Sequence, residues 1–153
     1  MEILTDQDIP DVDTKNQRGL FYLFNKYLEW LKSFSAPNIK YIGSYAFSFC
    51  RNLTSVDFPL ITTIEYYAFG VCENLTSINF PFVTAIGKGV FSYCDNLTSV
   101  DFPLITAIER NAFSNCEKLT FATFGTGFVT ETKINFGIAV YGDTITKNIN
   151  ILI

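Results

Sequence analysis

The chain has 153 residues, 48% hydrophobic and 17% charged, with a formal net charge of -4, a pI near 4.7 and no histidine. The missing histidine excludes the common Ser/His/Asp and Cys/His catalytic arrangements, and the acidity removes the basic footprint that supplies affinity for nucleic-acid phosphates. Apolar runs fall short of the roughly 20 residues of a membrane-spanning helix, so one soluble domain with a continuous core and no membrane insertion is expected.

Residues 1–13 hold Asp6, Asp8, Asp11 and Asp13 around Pro10 and read as an extended acidic arm. In the segment 14–34, Leu20, Leu23, Phe24, Tyr27, Leu28, Trp30, Leu31 and Phe34 fall on one half of a helical wheel. Asn25, Lys26, Glu29 and Lys32 fall on the other half, which predicts an amphipathic helix, and Thr14 with Gln17 has the spacing of a capping box. A helix merging into the first coil would cover its unpaired backbone groups and apolar layer, so 14–34 is expected to be an N-terminal cap. The polar face is not rich in Lys or Arg, which disfavours a membrane-surface role.

Residues 31–118 obey a period of 22: Phe47, Phe69, Phe91 and Phe113 recur in step with Cys50, Cys72, Cys94 and Cys116. Apolar residues in fixed columns must be buried against neighbouring copies, so four stacked coils are predicted at 31–52, 53–74, 75–96 and 97–118. Within a coil, Leu53, Val56 and Phe58 alternate with Ser55 and Asp57 as a half-buried strand does, and the stacked copies predict a parallel sheet. Pro59, Pro81 and Pro103 follow the strands and mark the bend out of the sheet, because proline has no amide to donate. The offsets of Ala68, Phe69 and Cys72 suit a short helical turn with one buried stripe. The predicted architecture is an α/β solenoid with a parallel β-sheet on one face, short helical turns on the other and an N-terminal capping helix.

Residues 119–153 read as a fifth strand and an irregular, enlarged final coil, in which Ala139, Val140, Ile149 and Ile151 match Ala112, Phe113, Ala122 and Phe124 at a spacing of 27. An antiparallel hairpin turning at Gly142 and Asp143 is the alternative. The stretch 148–153 has no charge or proline to blunt an edge, which makes it a candidate for edge-to-edge self-association or for the cut end of a longer protein.

The four cysteines form one column without histidine, which disfavours a zinc site. Strands about 4.7 to 4.9 Å apart hold in-register Cβ atoms wider than the roughly 3.5 to 4.5 Å of a disulfide, so a ladder of buried free thiols is predicted. Asp57 and Asp101 lie two coils apart, about 10 Å, and read as a solvated polar ladder rather than a catalytic pair. The Gly87 to Gly89 stretch lacks the surroundings of a phosphate loop. No catalytic residue, metal site or cofactor is expected. Asn52, Asn74 and Asn96 each open an Asn-Leu-Thr triplet, and we read them as shaping the turn into the strand rather than as glycosylation sites.

Two surfaces are candidates for partner binding. Ser55, Asp57, Ser77, Asn79, Ser99, Asp101, Phe121 and Thr123 occupy outward strand positions and are expected on one sheet face. Two further rows vary from coil to coil: Tyr45, Tyr67, Gly89 and Asn111, and Phe49, Val71, Tyr93 and Asn115. Exposed aromatic residues are plausible binding anchors, so Tyr45, Tyr67, Phe49 and Tyr93 join the candidates.

The unit "LTSVDFPLITTIEYYAFGVC", from Leu53 to Cys72, resembles the BspA-like leucine-rich repeat family, whose repeat carries a Leu-x-x-Ile-x-Leu-like strand, a following proline and an Ile-x-x-x-Ala-Phe-x-x-Cys turn. This chain departs from the pattern with Phe at the strand end, Gly125 for proline and Val90 for Ala. The resemblance implies a leucine-rich repeat module of bacterial or protist surface proteins, engaged in adhesion to a host or matrix protein, and hence an extracellular or cell-surface location. Residues 1–30 show no signal-peptide core preceded by basic residues, which favours a cytoplasmic alternative. The functional alternative is a structural scaffold or assembly subunit of a larger, phage-like complex.

Overall fold

A computed structural model describes residues 30–125, together with backbone strands at 3–5, 139–140, 143–144 and 150–152. In chain order the strands are β1 (Ile3–Thr5), β2 (Ser33–Ser35), β3 (Tyr41–Ile42), β4 (Ser55–Asp57), β5 (Thr63–Ile64), β6 (Ser77–Asn79) and β7 (Ala85–Ile86). They continue as β8 (Ser99–Phe102), β9 (Ala107–Ile108), β10 (Phe121–Phe124), β11 (Ala139–Val140), β12 (Asp143–Thr144) and β13 (Asn150–Leu152).

The strand at the start of each coil pairs in parallel, Phe34 beside Val56 and Ile78 beside Val100 beside Ala122. Ser55, Asp57, Ser77 and Asn79 are exposed while Phe58, Ile78 and Phe80 are buried, the alternation of a sheet with one wet face. This front layer is in two pieces, β1-β2-β4 and β6-β8-β10-β13. After each proline the chain bends into a second, four-stranded parallel sheet, β3-β5-β7-β9. There Ile42, Ile64 and Ile86 point into the core, and Thr63, Ala85 and Ala107 face outward and are exposed. The interior is a file of rings: Phe47, Phe69, Phe91 and Phe113 stack with centroids 5.1, 5.5 and 5.4 Å apart and planes within 11° of parallel.

The predicted helical turns are corrected to tandem β-turns, and no helix occurs among the described residues. In the first coil Ala46, Ser48 and Cys50 donate amide bonds back to Gly43, Tyr45 and Phe47, while Tyr45, Phe47 and Phe49 donate instead to Tyr66, Ala68 and Gly70 of the next coil. Half of these amides therefore stitch one coil to the next, which a helix, bonding only within itself, does not allow. One helical turn is also unstable alone, whereas the stack offers every coil a neighbour. Buried Ala68, Phe69 and Cys72 satisfy either geometry, which is why their offsets do not discriminate.

The expected cap helix needs correction at its C-terminal end. Residues 14–29 lie outside the described residues, but Ser33 and Phe34 belong to β2, where Phe34 is 2% exposed and serves the interior of the first coil. Of the arm, Ile3–Thr5 pair in parallel with Ser33–Ser35. At the other end β13 pairs in parallel with β10, Phe121 beside Asn150 and Ala122 beside Ile151, a spacing of 29 rather than the expected 27. Strand alternation has a period of two and does not separate registers two residues apart. The hairpin occurs as well, with Ala139–Val140 antiparallel to Asp143–Thr144, and Asp143 belongs to strand β12 rather than to the turn.

Candidate recognition surface

The outward strand residues are divided between the two hydrogen-bonded pieces of the front layer, whose facing strands β4 and β6 remain in contact. Ser55 and Asp57 pair with Ser33 and Ser35, and the Ser35 hydroxyl donates to Asp57 Oδ2 at 3.1 Å. On the other piece, Ser77, Ser99 and Phe121 make one register line, and Asn79, Asp101 and Thr123 make a second. Ser99, Asp101 and Thr123 are half-buried; Phe121 is exposed.

The two variable rows share a backbone feature. Tyr45, Tyr67, Gly89 and Asn111 have φ of 62°, 50°, 65° and 60°, and Phe49, Val71, Tyr93 and Asn115 have φ of 66°, 63°, 60° and 58°. This left-handed region suits Gly and Asn and is disfavoured for aromatic and β-branched residues. Phe49 and Tyr93 are nevertheless about half exposed, 49% and 51%, so burial does not account for their presence. Tyr45, Tyr66 and Tyr67 gather into a three-ring cluster, with Tyr45 edge-on to Tyr66 at 5.2 Å and stacked on Tyr67 at 5.9 Å. Partial desolvation, then hydrogen bonding and charge repulsion from Tyr66, hold the Tyr45 hydroxyl above its ordinary pKa. Gly89 leaves room for this cluster, since a Cβ there would lie 2.5 Å from the Tyr67 ring.

Beside the cluster, a half-open groove of about 350 Å³ runs along the outer side of the second sheet. Ala85, Ala107 and Gly87 line it with small surfaces, and Glu65, Tyr66, Lys88 and Glu109 line it with charge and an aromatic ring. Gly43, Glu65, Gly87 and Glu109 occupy equivalent positions one period apart, so in the groove lining a position without a side chain, Gly87, falls between two acidic ones. Lys88 Nζ stands 5.3 Å from the centre of the Tyr66 ring, within cation–π range. The Glu65 carboxylate accepts the Ser44 hydroxyl at 3.1 Å. The sequence reading passes over this groove, whose only sequence signal is a 22-residue column alternating glycine and glutamate.

Two other rows escape the sequence reading. Leu60, Phe82 and Leu104, each following a strand-end proline, are large exposed apolar residues. Glu73, Asp95 and Glu117 stack as a carboxylate row that begins with the Arg51–Glu73 ion pair at 2.9 Å. Partial burial first, then Glu117 and Glu73, push the Asp95 carboxyl up.

All four cysteines are buried thiols outside any disulfide. The thiols of Cys72, Cys94 and Cys116 donate to the carbonyls of Phe47, Phe69 and Phe91 at 3.2, 3.3 and 3.0 Å, so each side chain fills space and ties two coils. Burial pushes Cys50 up to about 12, and burial followed by neighbouring thiols holds Cys72 and Cys94 well above the usual range. Such thiols are protonated and poor nucleophiles. The side-chain amides of Asn74 and Asn96 donate to the carbonyls of Arg51 and Glu73 at 2.9 and 2.8 Å, so these asparagines bond between coils rather than only locally. Among the described residues, no group of three or more His, Cys, Asp or Glu is placed to hold a metal, and no helix is long and apolar enough to cross a membrane.

This construction matches a known repeat class. The sequence pattern of the BspA type leucine rich repeat region fits residues 21–136 in 6 copies, and the chain belongs to that family. A leucine rich repeat protein of T. pallidum is 32% identical with a TM-score of 0.58, over 61% of this chain and 45% of that one. A leucine-rich repeat protein from Bacteroides ovatus shares the fold at 23% identity and a TM-score of 0.62, over 82% of this chain and 37% of that one. The chain thus spans less than half the length of either structure. No curated protein matches it in sequence.

Proposed function

We propose that the chain is a non-catalytic protein-recognition module, and that its tandem-turn side is the face that meets the partner. The observation that carries this reading is the three aromatic residues, Tyr45, Phe49 and Tyr93, held exposed at left-handed backbone positions of the two variable rows, where the backbone favours Asn or Gly. Strain of this kind, about 1 to 2 kcal/mol per residue, persists where something other than stability retains the side chain. Membership of a leucine-rich repeat family supports an interaction role, and the resemblance to BspA-like surface proteins favours adhesion outside the cell.

Immobilised protein challenged with matrix proteins and host-cell extracts tests the reading. We expect a specific partner whose capture is lost when Tyr45, Phe49 and Tyr93 are changed to Ala and is kept in the Asp57→Asn, Asp101→Asn double variant. The reverse pattern would place recognition on the strand face. Absence of any partner, together with concentration-dependent self-assembly in light scattering, would favour the scaffold.

A further inference from the structure

We infer that the groove beside Tyr66 binds a cationic side chain, lysine or arginine, presented by an extended segment of a protein partner. The inference rests on the recognition reading above and deepens it by naming the chemistry of the ligand. Three observations converge. First, Ala85, Ala107 and Gly87 give the groove a small apolar floor, and two acidic residues line it, Glu109 and Glu65, the latter with its carboxylate also accepting the Ser44 hydroxyl. An aliphatic stem ending in a charge fits that combination, because such a chain buries its methylenes and keeps its head near polar groups. Second, Tyr66 already receives a cation, since Lys88 Nζ lies over its ring at 5.3 Å. The chain's own ammonium thus marks the ring face as a cation seat, from which a guanidinium or ammonium of the partner displaces it. Third, the balance of charge favours this sign: two glutamates against one lysine in the groove, on a chain of net charge -4. Electrostatic complementarity of this kind steers encounter and selects the partner.

Gly87 is the structural condition for the site. Its position lies against the backbone of Glu65 and Tyr66, where a Cβ would stand 3.3 Å from Tyr66 N and 3.4 Å from Glu65 C. Any larger side chain would have to grow from this crowded position in the groove lining.

Fluorescence anisotropy with short labelled oligolysine and oligoarginine peptides tests the inference, with oligoglutamate and oligoproline as comparisons. Tyr66→Ala and Glu109→Gln are each expected to weaken binding about fivefold, and Tyr66→Phe to retain it, since the ring and not the hydroxyl holds the cation. Lys88→Ala is expected to tighten binding about threefold by vacating the ring. Lys118→Ala removes the same charge in the acidic row after Cys116 and should leave the affinity unchanged. Melting curves confirm that each variant is folded before its affinity is read. Equal binding of oligoproline or oligoglutamate, or equal effects of Lys88→Ala and Lys118→Ala, would overturn the proposal. A protein partner captured normally by Tyr66→Ala and Glu109→Gln overturns this site and leaves the wider recognition reading standing. Oligolysine seated in the groove without any protein partner supports the site and removes the wider reading.

Discussion

The same left-handed position is filled by Phe49 in the first coil and by Asn115 in the fourth, on backbones whose φ differs by only 8° (66° against 58°). Asparagine is the residue such a backbone accepts most readily after glycine, so the fourth coil shows what folding alone selects. The earlier coils carry Phe49, Val71 and Tyr93 in that row, each less suited to it. Directly beneath, the opposite rule holds: Phe47, Phe69, Phe91 and Phe113 never change, and all are buried. One face of the coil is thus under the demands of packing, and the other varies against the preference of its own backbone. That contrast is the ground on which we propose the turn side, rather than the polar strand side, for recognition.

The largest effect should come from the invariant file. Phe69 is fully buried and stacks between Phe47 and Phe91, so Phe69→Ala should cost about 3 to 5 kcal/mol in urea denaturation by opening a cavity. Phe49→Ala, one turn away but half exposed, should stay within about 0.5 kcal/mol. Similar losses for both would erase the distinction between the two faces.

The thiol file gives a second, pH-dependent measure. In the folded protein Cys50 is raised to about 12 and Cys72 and Cys94 lie well above the usual value, whereas unfolded thiols titrate near 8.5. The folded state therefore holds protons that the unfolded state releases. Stability is unaffected by these groups below about pH 8.5 and falls as pH rises towards about 12, by up to about 1.4 kcal/mol per pH unit for each thiol. Denaturation between neutral pH and about pH 10 under reducing conditions should show a shallower decline for Cys72→Ala than for the parent chain. Identical slopes would mean that the thiol is not shielded.

These features differ in how openly the sequence states them. A period of 22 in Phe and Cys is sufficient to place the buried files, because a column that never varies has nowhere to go but inside. Proline after each strand is likewise explicit, since a missing donor must fall where the ladder ends. The tandem turns are less open: buried residues at offsets of one and four fit a helical turn equally well, and the contrary signal, Gly89, Asn111 and Asn115 in rows otherwise filled by Tyr, Phe and Val, is dispersed over two coils. The groove is harder still. Its carboxylates are 44 residues apart in sequence, and its depth depends on Ala85 and Ala107 belonging to a second sheet that the strand pattern does not announce. The break of the front layer between β4 and β6 has no sequence signature that we recognise.

The smallest effect isolates backbone preference itself. Val71 and Asn115 occupy equivalent positions at φ 63° and 58°, both half-buried. If the row is retained for its side chains and not for stability, Val71→Asn should stabilise the protein by about 1 kcal/mol, because asparagine tolerates the left-handed region and a β-branched residue does not. Asn115→Val should destabilise it by a similar amount. Equilibrium denaturation of the two single variants and of the exchanged pair measures both, and sites two coils apart without shared partners should add. A neutral or destabilising Val71→Asn would mean that valine packs well enough against its neighbours to repay its conformation, and the variable row would then be explained by folding alone.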